Sequence, residues 1–162
     1  MDAIQSYRDL VVWQQSIALA GKVYAATRLL PSEERDALKR QLRNSAGSVA
    51  SKVAAGAARR SRPEFLKFLH LARGSLAELE TQMMIAIELK YLGSETELPT
   101  QIVAQIAEIG RLIDGQVRSL TAARQEAHAR ACNYKVVTTN KQMQASAPST
   151  AAALPQRVTT HR

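Results

Sequence analysis

Apolar residues recur at three- and four-residue spacing in four long segments of this chain, and no segment shows the two-residue alternation of a half-buried strand. That period places each apolar set on one stripe of an α-helix. From Tyr7 to Leu29 the stripe is Leu10, Trp13, Ile17, Ala20 and Tyr24, widened by Val12, Leu19 and Val23. From Ser32 to about Arg60 it is Leu38, Leu42, Ala46, Val49 and Val53. The third segment carries Phe65, Phe68, Leu69, Ala72, Leu76, Leu79, Met83 and Ala86, with both phenylalanines expected in the core. The fourth opens at Pro99 and carries Ile102, Ile106, Ile109, Ile113, Val117 and Leu120.

The breaks between segments follow local chemistry. Pro31 ends the first, because the residue before a proline avoids helical angles. Ser32 is the expected N-cap of the second helix, with Glu33 and Glu34 favoured by the helix dipole. Ser61 to Glu64 reads as a capping box for the third, and Gly93 as its stop. Short connections make neighbouring helices antiparallel. The predicted fold is therefore all-α, an antiparallel up-down-up-down four-helix bundle over residues 1–126. Beyond Glu126 the apolar period fails, and residues 127–162 are expected to form a disordered basic tail.

The charge is concentrated. Arg35, Lys39, Arg40, Arg43, Lys52, Arg59, Arg60, Arg62, Lys67 and Arg73 are ten cations facing only Asp36 and Glu64 in the same stretch, in a chain of net charge +8. Such a segment fits a polyanion, and nucleic acid is the commonest one. The ten are the candidate nucleic-acid-binding residues, expected to contact phosphates without reading sequence. On the second helix, Gly47, Ala50, Ala54 and Ala58 lie roughly opposite the core stripe. Small residues there allow close approach by another helix, so they are the candidate oligomer interface.

Tyr7-Arg8-Asp9-Leu10-Val11-Val12-Trp13-Gln14 and the stretch from Phe65 to Gln82 resemble the two signatures of the bacterial four-helix bundle proteins, also called large-subunit rRNA intervening-sequence proteins. The resemblance covers about residues 5–120. It implies a bundle assembled into a ring, a homopentamer. It also implies kinship with the accessory variability protein of diversity-generating retroelements, a basic pentamer that binds nucleic acid and a reverse transcriptase. This chain departs from the family in the second helix, where Lys52 and Ala55 stand in place of an amide and an acid.

Other chemistry is not visible. Di-iron bundles need paired Glu-x-x-His motifs, and no glutamate here has a histidine three positions on. Phosphate-cradling glycine loops are missing, and none of His70, His128 and His161 sits in a catalytic context. Arg73, Glu78 and Glu80 read as ion pairs fixing register, and Cys132 as a tail thiol without a role. No metal, cofactor or catalytic residue is therefore expected. The N-terminus lacks a signal-peptide layout and no apolar run reaches membrane-spanning length, so a cytoplasmic location is expected. The function expected is a non-enzymatic oligomeric nucleic-acid-binding protein, for RNA or an RNA/DNA duplex. The alternative is an oligomeric adaptor for a partner protein, such as a reverse transcriptase or an rRNA-processing factor.

Overall fold

The computed structural model describes residues 6–35, 37–92 and 97–145, with the side chains of residues 34, 35, 124 and 126–145 outside that description. The described residues form four α-helices and no strand: α1 (Val11–Ala26), α2 (Leu38–Ala58), α3 (Arg62–Glu88) and α4 (Leu98–Ala145). By internal packing the chain divides into residues 1–122 and 123–162. The first unit is a four-helix bundle around one hydrophobic core.

Three stripes match the sequence pattern. Leu38, Leu42, Ala46, Val49 and Val53 of α2 are buried, as are Leu69, Ala72, Leu76, Leu79, Met83 and Ala86 of α3 and Ile102, Ile106, Ile109 and Ile113 of α4. Val117, Leu120 and Phe65 are partly buried against that core, and Phe68 is half-buried. The α1 stripe is rotated from its expected position. Its core face is Val12, Ser16, Leu19, Val23 and Ala26, whereas Ile17 and Tyr24 are each 48% exposed. Two polar groups permit the rotation. Ser16 Oγ donates to the Val12 carbonyl at 2.6 Å, and Thr27 Oγ1 to the Tyr24 carbonyl at 2.9 Å, so neither buried hydroxyl is left unpaired.

Contacts fix the packing order. Arg43 reaches Thr27 and Lys39 reaches Leu30, so α2 runs back along α1. Gly56 meets Phe68 while Lys52 meets Ser75, so α3 runs back along α2. Arg73 pairs with Asp114 of α4 at 3.5 Å, and Gln105 of α4 donates to the Gln15 carbonyl of α1 at 3.1 Å, closing the bundle.

Several boundaries differ from the sequence expectation. Ser6, not a residue of α1, caps the first described turn: it holds a 3₁₀ turn over Tyr7–Asp9 with a reciprocal Asp9 carboxylate bond. Ser32–Arg35 form a second 3₁₀ turn, and α2 begins only at Leu38, so Ser32 does not cap it. Ser61 does occupy the N-cap of α3 but its side chain makes no cap bond; Glu64 turns instead to Arg59 at 3.6 Å. Helix α3 ends before Gly93, which lies outside the described residues. Lys90 takes the left-handed conformation, φ 57°, and Tyr91 N–H bonds the Ala86 carbonyl at 3.0 Å. That is the closing bond of a Schellman motif, built without glycine. Helix α4 continues to Ala145, past the end of the apolar period near Glu126. Residues 127–145 include four Ala, two Lys, two Gln and one Arg, helix formers that need no apolar stripe. Residues 146–162 lie outside the described residues.

Candidate nucleic-acid interface

The structure does not gather on one patch the nine of the ten cations whose side chains it describes. It divides them among three levels of the bundle. At the α1–α2 end, Lys39 Nζ donates to the Leu30 carbonyl at 3.2 Å. Arg43 Nε donates to Thr27 Oγ1 at 2.9 Å, and its guanidinium lies over the Tyr24 ring. Both side chains are turned into the fold, leaving Arg40 exposed beside them. The side chain of Arg35 lies outside the described residues. At mid-height, Lys52 Nζ donates to Ser75 Oγ at 2.6 Å, and Ser75 donates on to Ser48 at 3.1 Å. Arg73 is taken by Asp114, not by Glu80, which is exposed. These side chains serve helix packing first.

The remaining four, Arg59, Arg60, Arg62 and Lys67, surround the α2–α3 turn and are exposed. Their nearby acid is Glu64, which engages Arg59 at 3.6 Å. Arg60, Arg62 and Lys67 have no carboxylate partner among the described residues. An exposed pair such as Arg59–Glu64 is worth at most about 1 kcal/mol. The turn is not arranged for folding economy. Arg60 sits at φ 51°, where a glycine would fit at lower energy. Arg62 lies in the first turn of α3, where the helix dipole disfavours a cation, and its charge adds to the positive end of that dipole.

Register brings a further cation here that sequence inspection alone missed. The span from Thr27 back to Val11 along α1 equals the span from Arg43 on to Arg59 along α2. The Tyr7–Asp9 turn therefore lies at the α2–α3 end, and it packs against α2. Arg8 in that turn is exposed, its guanidinium 5.9 Å from the Tyr7 ring centroid. Tyr7 meets Trp13 edge-on, with centroids 5.3 Å apart. Only the antiparallel register of α1 and α2 could have signalled Arg8.

The small-residue stripe is partly used within the chain. Ala50 is 4% exposed, because it lies about a quarter-turn from the core direction rather than opposite it. Gly47 and Ala54 are half-buried and Ala58 is exposed, and a Cβ built on Gly47 would meet open space. A shallow groove of about 460 Å³ runs between Gln41 of α2 and Gly74, Glu78 and Ile85 of α3. Among the described residues no cluster of His, Cys, Asp and Glu side chains could hold a metal ion, and no helix is long and apolar enough to cross a membrane.

A solved protein of unknown function from the S23 ribosomal protein family of Bacteroides thetaiotaomicron has a similar structure, with a TM-score of 0.60 at 21% identity over 66% of this chain and 98% of that one. At that identity the likeness concerns the fold. No functionally curated protein matches the chain. The sequence of residues 8–115, spanning α1 to the middle of α4, matches throughout one family model, and the chain belongs to the 23S rRNA-intervening sequence protein family.

Proposed function

We propose that this protein is a non-enzymatic, oligomeric nucleic-acid-binding protein that holds phosphates at the α2–α3 end of its bundle. The supporting observation is the group of four exposed cations, Arg59, Arg60, Arg62 and Lys67, around a single acid. Arginine offers phosphate a planar fork and lysine a point charge, and neither reads bases when used on the backbone. RNA or an RNA/DNA duplex is the ligand class. Four phosphate contacts per chain give a slope of log affinity on log salt of about −3.6 on duplex DNA and about −2.8 on a single strand. Filter binding across salt tests this. Joint replacement Arg60→Glu, Arg62→Glu and Lys67→Glu abolishes binding at moderate salt. Arg40→Glu, about 28 Å away along α2, has a much smaller effect. Binding without salt dependence, or equal losses from both variants, rejects the reading.

A second reading, an oligomeric adaptor for a partner protein, draws on a different observation. Val11, Ile17, Tyr24 and Leu29 around α1, and Leu71, Met84, Ile85 and Leu89 around α3, remain exposed. Apolar area of this kind suits protein contact. Assembly into a homopentamer, with Gly47, Ala54 and Ala58 toward a neighbouring copy, would cover part of it. Sedimentation velocity of the nuclease-treated protein separates the cases: a monomer at micromolar concentration removes the assembly.

A further inference from the structure

The cationic end holds two exposed arginines against aromatic rings, whereas Arg43, the ring-backed arginine at the other end, is half-buried and bonded to Thr27. The Arg59 guanidinium carbon lies over the Phe68 ring, 4.6 Å from its centroid, while Glu64 engages one guanidinium edge at 3.6 Å. Arg8 lies over Tyr7 at 5.9 Å. Both distances are within reach of the attraction between a cation and an aromatic face. Of the chain's seven aromatic side chains, two Phe, four Tyr and one Trp, two lie under exposed arginines at this end and Tyr24 lies under Arg43 at the other. Phe68 cannot retreat from this arrangement, because its Cβ packs against α2 at Gly56.

Each guanidinium thus lies against a ring and remains exposed on its outer side; the Arg59 side chain is 54% exposed, with Glu64 on one edge. A supported guanidinium loses less conformational freedom on binding than a free one. Its outer face is a surface on which an unpaired base stacks, and its edges still donate to phosphate. A duplex keeps its bases inside and cannot use that surface.

Resting on the nucleic-acid reading above, we propose that this end of the bundle selects nucleic acid with unpaired bases. The bases stack on Arg59 and Arg8 while Arg60, Arg62 and Lys67 hold the flanking phosphates. This differs from simple phosphate binding, which a duplex of higher charge density would satisfy better.

The test uses the full chain and two labelled probes of equal length, an unstructured oligouridylate and a fully paired RNA duplex, compared by anisotropy at matched salt. The single strand is expected to bind more tightly. Arg59→Lys and Arg8→Lys keep the charge but lose the planar group. Together they are expected to weaken single-strand binding at least about fivefold, the lower end for one lost stack, and to change duplex binding less than about twofold. Phe68→Leu removes the supporting ring and should reproduce the Arg59→Lys effect. Duplex binding as tight as single-strand binding, or lysine variants that weaken both probes equally, overturns the proposal and leaves the phosphate-binding reading standing. Failure of both probes to bind overturns both.

Discussion

Replacing Gly56 with alanine probes a close approach of α2 and α3. A Cβ at this position would lie 2.5 Å from Phe68 Cβ, 3.1 Å from Phe65 Cδ2 and 3.2 Å from Phe68 Cγ. Carbon atoms in contact prefer about 3.5–4.0 Å, so the closest pair is short by about 1 Å. Phe65 Cδ2 is the far end of a side chain and can swing away. Phe68 Cβ cannot, because it is fixed to the α3 backbone, so the start of α3 must move. Because the struck atom is fixed to the backbone, the overpacking cost falls in the upper part of the usual range, about 2–3 kcal/mol, and the better helix propensity of alanine returns about 1 kcal/mol. The net loss is about 1–2 kcal/mol, a fall in Tm of about 2–8 °C at this chain size. The matching control is Gly21→Ala on α1, where a Cβ meets nothing within 4 Å. That change should raise stability by up to about 1 kcal/mol. Thermal melts by circular dichroism give both signs from one method. Displacing Phe68 also shifts the ring beneath Arg59, so Gly56→Ala should weaken nucleic-acid binding as well. A Gly56→Ala protein as stable as the parent would refute the close approach of α2 and α3, and with it the geometry of the turn.

Arg60→Gly should act in opposite directions on fold and function. Relief of the left-handed conformation should stabilise the protein by about 1 kcal/mol in a urea titration, while loss of one phosphate contact reduces the salt slope by about 1. Lys90→Gly, at the corresponding position after α3, should give a similar gain in Tm with nucleic-acid affinity unchanged, because Lys90 lies at the C-terminal end of α3, remote from the α2–α3 turn.

The helical period alone carried most of the fold. It identified the buried sides of α2, α3 and α4 because on each a continuous run of apolar residues holds the three- and four-residue spacing along one stripe. On α1 it gave a broad arc that contains the buried Leu10, Val12, Leu19 and Val23 but wrongly centred it on Ile17 and Tyr24, because α1 is apolar over much of its circumference and spacing then fits two stripes equally well. Ser16 and Thr27 decided between them, and hydroxyls that bond their own helix backbone look like solvent-facing residues in a sequence. The start of α2 was misread at Ser32 because a 3₁₀ turn has the same capping chemistry as an α-helix. For the candidate site, the list of cations was legible but their grouping was not. Lys39 and Arg43 bond the C-terminal cap of α1 and the connection after it, and Lys52 bonds α3, uses that depend on register. Arg8 joins the turn for the same reason. Ala50 shows the converse error: about a quarter-turn of helix separates a surface position from a buried one.

The edge-on pairing of Tyr7 with Trp13 gives the protein a built-in optical reporter. Trp13 is the single indole in the chain and stands at the end where the exposed arginines gather. Its emission therefore reports on that neighbourhood without dilution from other tryptophans. Quenching by a titrated oligonucleotide would register arrival there without an attached dye. A spectrum that stays constant through saturation would locate the bound strand elsewhere.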